Sequence, residues 1–96
     1  MSCYFVAQID ILDPEGYGRY LDGFDEVFDR YRGTVLAVDD EAELLEGAWP
    51  GTRTVIIEFP DRAELDRWYR SPEYQRLAAC RRTAATANIV AVAGRG

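Results

Sequence analysis

Histidine and lysine are both absent from this chain of 96 residues, so all eleven of its basic residues are arginines. Histidine is the commonest general base, the commonest neutral metal ligand and the usual partner of a serine or cysteine nucleophile. Its absence excludes a histidine-based catalytic triad and haem ligation by histidine. Carboxylates are therefore the first candidates for any acid–base chemistry.

Cysteine is also scarce, and Cys3 and Cys80 lie far apart in the sequence without a CxxC spacing. Two lone cysteines cannot form a tetrahedral zinc site, and we expect both to be reduced, buried thiols. The sequence lacks a run of about 18 apolar residues that could span a bilayer. It also lacks a basic segment of the signal-peptide type at its start. We therefore expect a cytoplasmic protein with no membrane partner, no metal and no cofactor.

The net charge is −6, which argues against a nucleic-acid partner. The charge is unevenly distributed: residues 1–52 carry 12 acids and 3 arginines, whereas residues 53–96 carry 5 acids and 8 arginines. One interpretation is that solvated helix faces partly neutralise one another. The other is charge matching across a dimer, or an anion-attracting rim formed by Arg76, Arg81 and Arg82.

The first half of the chain predicts a strand and a helix. Residues 3–12 alternate as a strand requires, with a wholly apolar face and a mixed face. The apolar face is Phe5, Ala7, Ile9 and Ile11, and the mixed face is Tyr4, Val6, Gln8 and Asp10. Asp13 and Pro14 predict a capped helix start, the apolar stripe continues to about Tyr31, and Gly33 suits the helix end. We interpret that stripe as core.

The second half repeats the pattern with an additional strand. Strands are predicted over residues 34–38, 54–59 and 88–93, and the apolar pair Leu44-Leu45 is expected to continue the first hairpin. Asp61 and Glu64 have the spacing of a capping box, and Ser71 starts a further helical segment. The element order is therefore β, α, β, β, α, β within one domain, residues 1–96.

This order predicts an α+β, ferredoxin-like sandwich with a four-stranded antiparallel sheet and helices on one face. The other face carries Tyr4, Val6, Ile56 and part of the last strand, which are too apolar to remain in water. We therefore expect a homodimer that buries this open face, because a symmetric pair is the simplest way to cover it.

Three segments are distinctive: EGAWP at residues 46–50, EFP at 58–60 and WYRSPEY at 68–74. With the start of the chain and the apolar last strand, they resemble the family catalogued as domain of unknown function 1330. The resemblance covers nearly the whole chain. It implies the ferredoxin-like fold of the dimeric α+β barrel superfamily and a dimer whose open sheet faces meet. That superfamily includes cofactor-free monooxygenases, lactone isomerases and haem-handling enzymes, so the resemblance implies no particular function.

Strand phase places Gln8, Asp10 and Glu58 on the open face. A carboxylate in a half-apolar pocket has a raised pKa and can act as a general acid or base. One hypothesis is that Glu58 and Asp10 are catalytic, with Glu58 the base, and that Gln8 binds a ligand. The alternative is that these groups face trapped water at the dimer interface or pair with an arginine such as Arg53 from either subunit.

Three aromatic residues are further ligand-binding candidates. Trp49 could stack on a planar ligand, or it could anchor its turn or the dimer rim. The hydroxyls of Tyr69 and Tyr74 could orient a substrate oxygen, or these rings could belong to ordinary helix packing. Two functions stay open: a cofactor-free enzyme (isomerase or monooxygenase-like proton transfer) on a small metabolite, and a non-catalytic ligand-binding or protein-interaction module.

Overall fold

The computed structural model describes residues 1–95, which form four strands and three helices. The strands are β1 (Cys3–Ile11), β2 (Thr34–Asp39), β3 (Arg53–Phe59) and β4 (Ala85–Ala93). The helices are α1 (Pro14–Phe28), α2 (Arg62–Tyr69) and α3 (Pro72–Ala84). The second helical region is thus two helices, as the restart signal at Ser71 indicates, and β4 begins three residues before the predicted strand.

The sheet confirms the ferredoxin-like fold. Its strand order is β2-β3-β1-β4, so β1 and β3 are the central pair, and every pairing is antiparallel. The predicted phase of β1 is also confirmed, because Phe5, Ala7 and Ile9 are buried under the helices, whereas Val6 and Gln8 on the other face are only partly covered.

The core is predominantly aromatic, and Trp68 of α2 lies at its centre with no exposed surface. Its ring stacks on Phe59 with centroids 5.3 Å apart, and Phe5 meets it edge-on at 5.2 Å. Phe28 and Tyr74 close the cluster at 5.7 and 4.3 Å. One tryptophan therefore joins all three helices to the two central strands.

Two of the three predicted helix caps form. The side chain of Asp61 accepts from the Glu64 N–H at 2.8 Å, and the Ser71 hydroxyl accepts from the Tyr74 N–H at 3.1 Å. Asp13 is at the N-cap position, but its side chain makes no capping bond. The capping box is half formed, because the Glu64 carboxylate binds the Arg32 N–H at 3.0 Å instead of its own helix start.

Several sequence-based expectations are wrong. α1 ends at Phe28, and Gly33 is not a left-handed cap; a Cβ there would lie 2.6 Å from the Phe28 ring, so close packing explains the glycine. Leu44 and Leu45 are exposed and outside any strand. Cys3 is buried as expected, but Cys80 is exposed, because it lies on the outer side of α3.

Within residues 1–95, no helix is both long enough and apolar enough to cross a membrane.

Glu64 should make the free energy of unfolding depend on pH in the acidic range. The Arg32 N–H lowers the pKa of the Glu64 carboxyl below its ordinary value, Arg67 at 2.7 Å lowers it further, and burial opposes both. A lowered folded-state pKa gives stability that is present above the unfolded value of about 4.3 and is lost as the pH falls through the folded value. Urea unfolding of wild type and Glu64→Gln should therefore differ at pH 7, and the difference should begin to shrink below about pH 4.3 and be lost as the pH falls through the lowered folded-state pKa. A difference that persists in acid would contradict this prediction.

Candidate functional site

The open face of the sheet is arranged in three rows across the strands. The middle row is wholly apolar and consists of Val90, Val6, Ile56 and Ala37. One flanking row contains Val92, Tyr4, Glu58 and Thr34, and the other contains Asn88, Gln8, Thr54 and Asp39. Val90 is 56% exposed, and none of the three helices in residues 1–95 covers this side. We call these rows the open face below.

The two predicted catalytic carboxylates do not come together within one chain. Glu58 lies opposite Tyr4, whose hydroxyl donates to it at 3.1 Å. Asp10 is six residues further along β1 and pairs with Thr86 of β4. At roughly 3.3 Å per residue, the two carboxylates lie about 20 Å apart along the sheet. The alternation in the sequence correctly predicted that Glu58 and Asp10 share one face of the sheet. It could not predict the strand register, which places them at opposite ends of β1.

Gln8 and Trp49 do lie near one another on the open face. Gln8 is opposite Thr54, and the Trp49 indole N–H donates to the Thr54 hydroxyl at 2.9 Å. Trp49 is 45% exposed, and with Thr54 it lines an open surface depression whose other walls are residues 42–46. Arg53, the suggested partner of the open-face acids, pairs instead with Asp40 at 2.9 Å.

A partly enclosed apolar cleft lies on the opposite side of the sheet, between α1 and the inner faces of the strands. Its volume is about 340 Å³. The lining is largely apolar, and its polar members are few: Tyr17, Tyr20, Asp25, Arg53 and Arg81. An apolar cleft of this size with a few convergent polar groups is typical of a small-molecule site. We call it the helix-side cleft.

Tyrosine hydroxyls supply one side of the helix-side cleft. Burial raises the pKa of Tyr17, and the nearby Arg53 lowers it by a smaller amount. The Tyr20 hydroxyl is 2.8 Å from that of Tyr74, and burial followed by this neighbour raises the pKa of Tyr20 as well. Both cleft tyrosines are therefore neutral hydrogen-bonding groups at physiological pH rather than bases.

Two arginines supply the positive charge. The guanidinium of Arg53 lies 5.7 Å from the Tyr17 ring, and that of Arg81 lies 5.8 Å from the Tyr20 ring. The Nε–H of each is buried without an acceptor in the described chain. Asp25, the one carboxylate that lines the cleft, is exposed on α1.

Tyr69 and Tyr74, the other predicted ligand-binding residues, lie outside the lining of the helix-side cleft. Tyr74 is fully buried behind it and contacts two of its lining residues, Tyr20 and Arg81. Tyr69 packs against Tyr74 with centroids 5.6 Å apart and contributes to shallower surface depressions near β4. Among the described residues, no group of three cysteines and carboxylates is placed to hold a metal ion.

Sequence reasoning missed this cleft because it assigned the whole α1 stripe to the core. Tyr17 and Tyr20 are buried in the core as predicted, and together with Leu21 and Phe24 they also form a wall of the cleft. The available signal was the pair of tyrosines, since a polar tip on an otherwise apolar stripe requires a partner or a cavity.

The profile of the family DUF1330, a domain of unknown function, matches residues 2–95. The chain belongs to this family. A comparison with curated proteins returns no match. Membership in DUF1330 confirms the resemblance found in the sequence, and it assigns no activity.

Solved structures similar to this DUF1330 chain support the fold. A protein of unknown function from Rhodopseudomonas palustris is 19% identical, with a TM-score of 0.77 over 99% of this chain and 83% of that one. SnoaB from Streptomyces nogalater, a cofactor-independent oxygenase, is 18% identical, with a TM-score of 0.67 over 99% and 94%. A dimeric ferredoxin-like protein of unknown function from Jannaschia sp. CCS1 is 13% identical, with a TM-score of 0.68 over 98% and 100%.

Proposed function

We propose that this chain is a homodimeric, cofactor-free enzyme that acts on a small, planar, mostly apolar molecule in the helix-side cleft. The observation that carries the proposal is the cleft itself, about 340 Å³ of apolar space with hydroxyls of Tyr17 and Tyr20 and two arginines at its wall. SnoaB supports the proposal by fold analogy, since it is an oxygenase that needs no cofactor.

The polar groups of the cleft suit the removal of a proton from the substrate. Tyr17, Tyr20, Arg53 and Arg81 are all hydrogen-bond donors. Donors fixed in an apolar site stabilise negative charge that develops on a substrate oxygen, and so lower the pKa of an acidic C–H or O–H in the substrate. The released proton can pass to Asp25 or to water. We therefore place catalysis in the helix-side cleft and not at Glu58 and Asp10.

The open face is assigned to the dimer contact. Its apolar middle row, Val90, Val6, Ile56 and Ala37, gives a second copy a surface to bury, and the Jannaschia protein of the same fold is dimeric. In this arrangement Glu58 stays bonded to Tyr4 at the interface. We also propose a cytoplasmic location, where free thiols such as Cys3 and Cys80 persist.

Anthrone is a suitable probe for the enzymatic proposal, because it is planar, apolar and acidic at the CH₂ opposite its carbonyl. Its enolate reacts with O₂, and one anthrone and one O₂ give one anthraquinone and one water. Oxygen uptake without added metal or cofactor should exceed the buffer rate at least about tenfold, a modest part of what enzymes achieve.

A matched pair of variants locates the activity. Val38 lines the helix-side cleft, so Val38→Trp should fill its mouth and abolish the acceleration. Leu12 is 66% exposed outside the cleft, so Leu12→Trp should leave the rate unchanged. Anthrone binding without acceleration would favour the non-catalytic ligand-binding alternative, and equal rates in both variants would reject the cleft.

A further inference from the structure

Arg81 is a buried cation without an anionic partner in residues 1–95. It lies in the last turn of α3 and is only 4% exposed. Five other arginines form ion pairs with carboxylates: Arg30, Arg53, Arg62, Arg67 and Arg70. Arg81 forms none, and its buried Nε–H has no acceptor in the described chain.

The surroundings of Arg81 keep it charged but do not neutralise it. Burial disfavours the guanidinium, but the oxygens of Tyr74 and Tyr20 together raise its pKa. The carboxyl end of α3 and the face of the Tyr20 ring, 5.8 Å away, also favour a positive charge. None of these groups is an anion, and a desolvated charge without a counter-ion is costly to a fold.

The neighbouring Arg82 provides the contrast. It is exposed and donates to the Gln75 side chain at 2.9 Å, as an ordinary surface arginine does. Arg81 is buried and lines the helix-side cleft, and it also borders, with Arg82, an open depression beside β4. The two arginines therefore differ in their position around α3: Arg82 is exposed to water, and Arg81 is buried.

We propose that Arg81 is the counter-ion for an anionic oxygen of the ligand, so that the cleft selects planar apolar molecules with a carboxylate or an ionised enol or phenol. This inference rests on the proposed function, because it names the ligand class of the same cleft. A planar guanidinium binds a carboxylate through two parallel hydrogen bonds, and the apolar walls strengthen that pairing. Arg53 is already paired with Asp40, so we assign it a structural role in the cleft wall and not the role of counter-ion.

Isothermal titration with 2-naphthoate and 2-naphthamide tests the charge, since the two ligands share one ring system and differ in charge. The wild-type protein should bind 2-naphthoate about 10- to 100-fold more tightly than the amide at neutral pH, the range of a charge-assisted hydrogen bond. Equal affinities would overturn the proposal without the need for any variant.

Variants at two adjacent positions provide the control. Arg81→Met should remove the preference by weakening 2-naphthoate alone, and Arg81→Lys should retain part of it because the charge remains. Arg82→Met should leave both affinities unchanged. Loss of the preference in Arg82→Met but not in Arg81→Met would also overturn the inference.

Failure of the proposed function has a different signature. If the cleft binds no planar ligand, neither naphthalene derivative will bind, and Val38→Trp will have no effect on the titration. If the cleft binds but Arg81 is not the counter-ion, both ligands will bind equally and both will be blocked by Val38→Trp.

Discussion

Replacing Trp68 with alanine is expected to lower the free energy of unfolding by about 3–5 kcal/mol, the usual cost of removing a fully buried tryptophan. The ring contacts Phe5, Phe28, Phe59 and Tyr74, so the cavity would open where the helices meet the sheet. A chain of 96 residues has limited stability to lose, and most of the variant should be unfolded at modest urea concentrations. Urea unfolding followed by circular dichroism measures the effect.

The second tryptophan is the matched control. Trp49 is 45% exposed and bonds only Thr54, so Trp49→Ala should cost about 1 kcal/mol or less. Both variants must be compared at the same chain concentration, because association adds to apparent stability. Equal losses in the two variants would contradict the central role of Trp68. Trp68→Phe should be milder, because it also removes an indole N–H that has no acceptor in residues 1–95.

A carboxylate on the open face is expected to convert the proposed dimer into a monomer. Val90 is 56% exposed in one chain, so Val90→Glu should cost the isolated fold little. In a symmetric dimer the same change buries two unpaired carboxylates, each at a penalty of several kcal/mol, and should weaken association at least about 100-fold. Light scattering at micromolar concentration should then give the mass of one chain rather than two.

Two further measurements keep this prediction specific. Ile56→Glu, in the middle of the same row, should have the same effect, whereas Ala79→Glu, at an exposed position of α3 on the helix side, should remain dimeric. A circular dichroism spectrum like that of wild type would show that the monomeric variants are folded. A wild-type chain that is already monomeric, or a Val90→Glu dimer, would remove the open face from the proposal.

Local patterns predicted most of the fold because they depend on neighbouring residues. The alternation in residues 3–12 placed Phe5, Ala7 and Ile9 against the helices, since side chains of a strand point to opposite faces in turn. Asp61 and Ser71 marked helix starts because their side chains can accept from the free N–H groups of the first turn.

The predicted site depended on information that no local pattern contains. Glu58 and Asp10 share a face, but the antiparallel register places Glu58 opposite Tyr4 and leaves Asp10 at the far end of β1. Leu44 and Leu45 look like a strand continuation, but they lie in an exposed loop beyond β2. The hydrophobicity of a residue indicates that it favours burial, but it does not indicate which surface of the protein will bury it.

The sequence by itself determined the element order, the faces of the strands, the family and the absence of histidine chemistry. The tertiary structure decided where the helix-side cleft lies and that Arg81 is buried at its wall without a counter-ion among residues 1–95. The physical reason is that a cleft results from how closely α1 packs on the strands, and this spacing depends on side chains distant in sequence. The missing histidine limited the chemistry from the start, and the buried position of Arg81 is the basis of the proposal that the ligand is anionic.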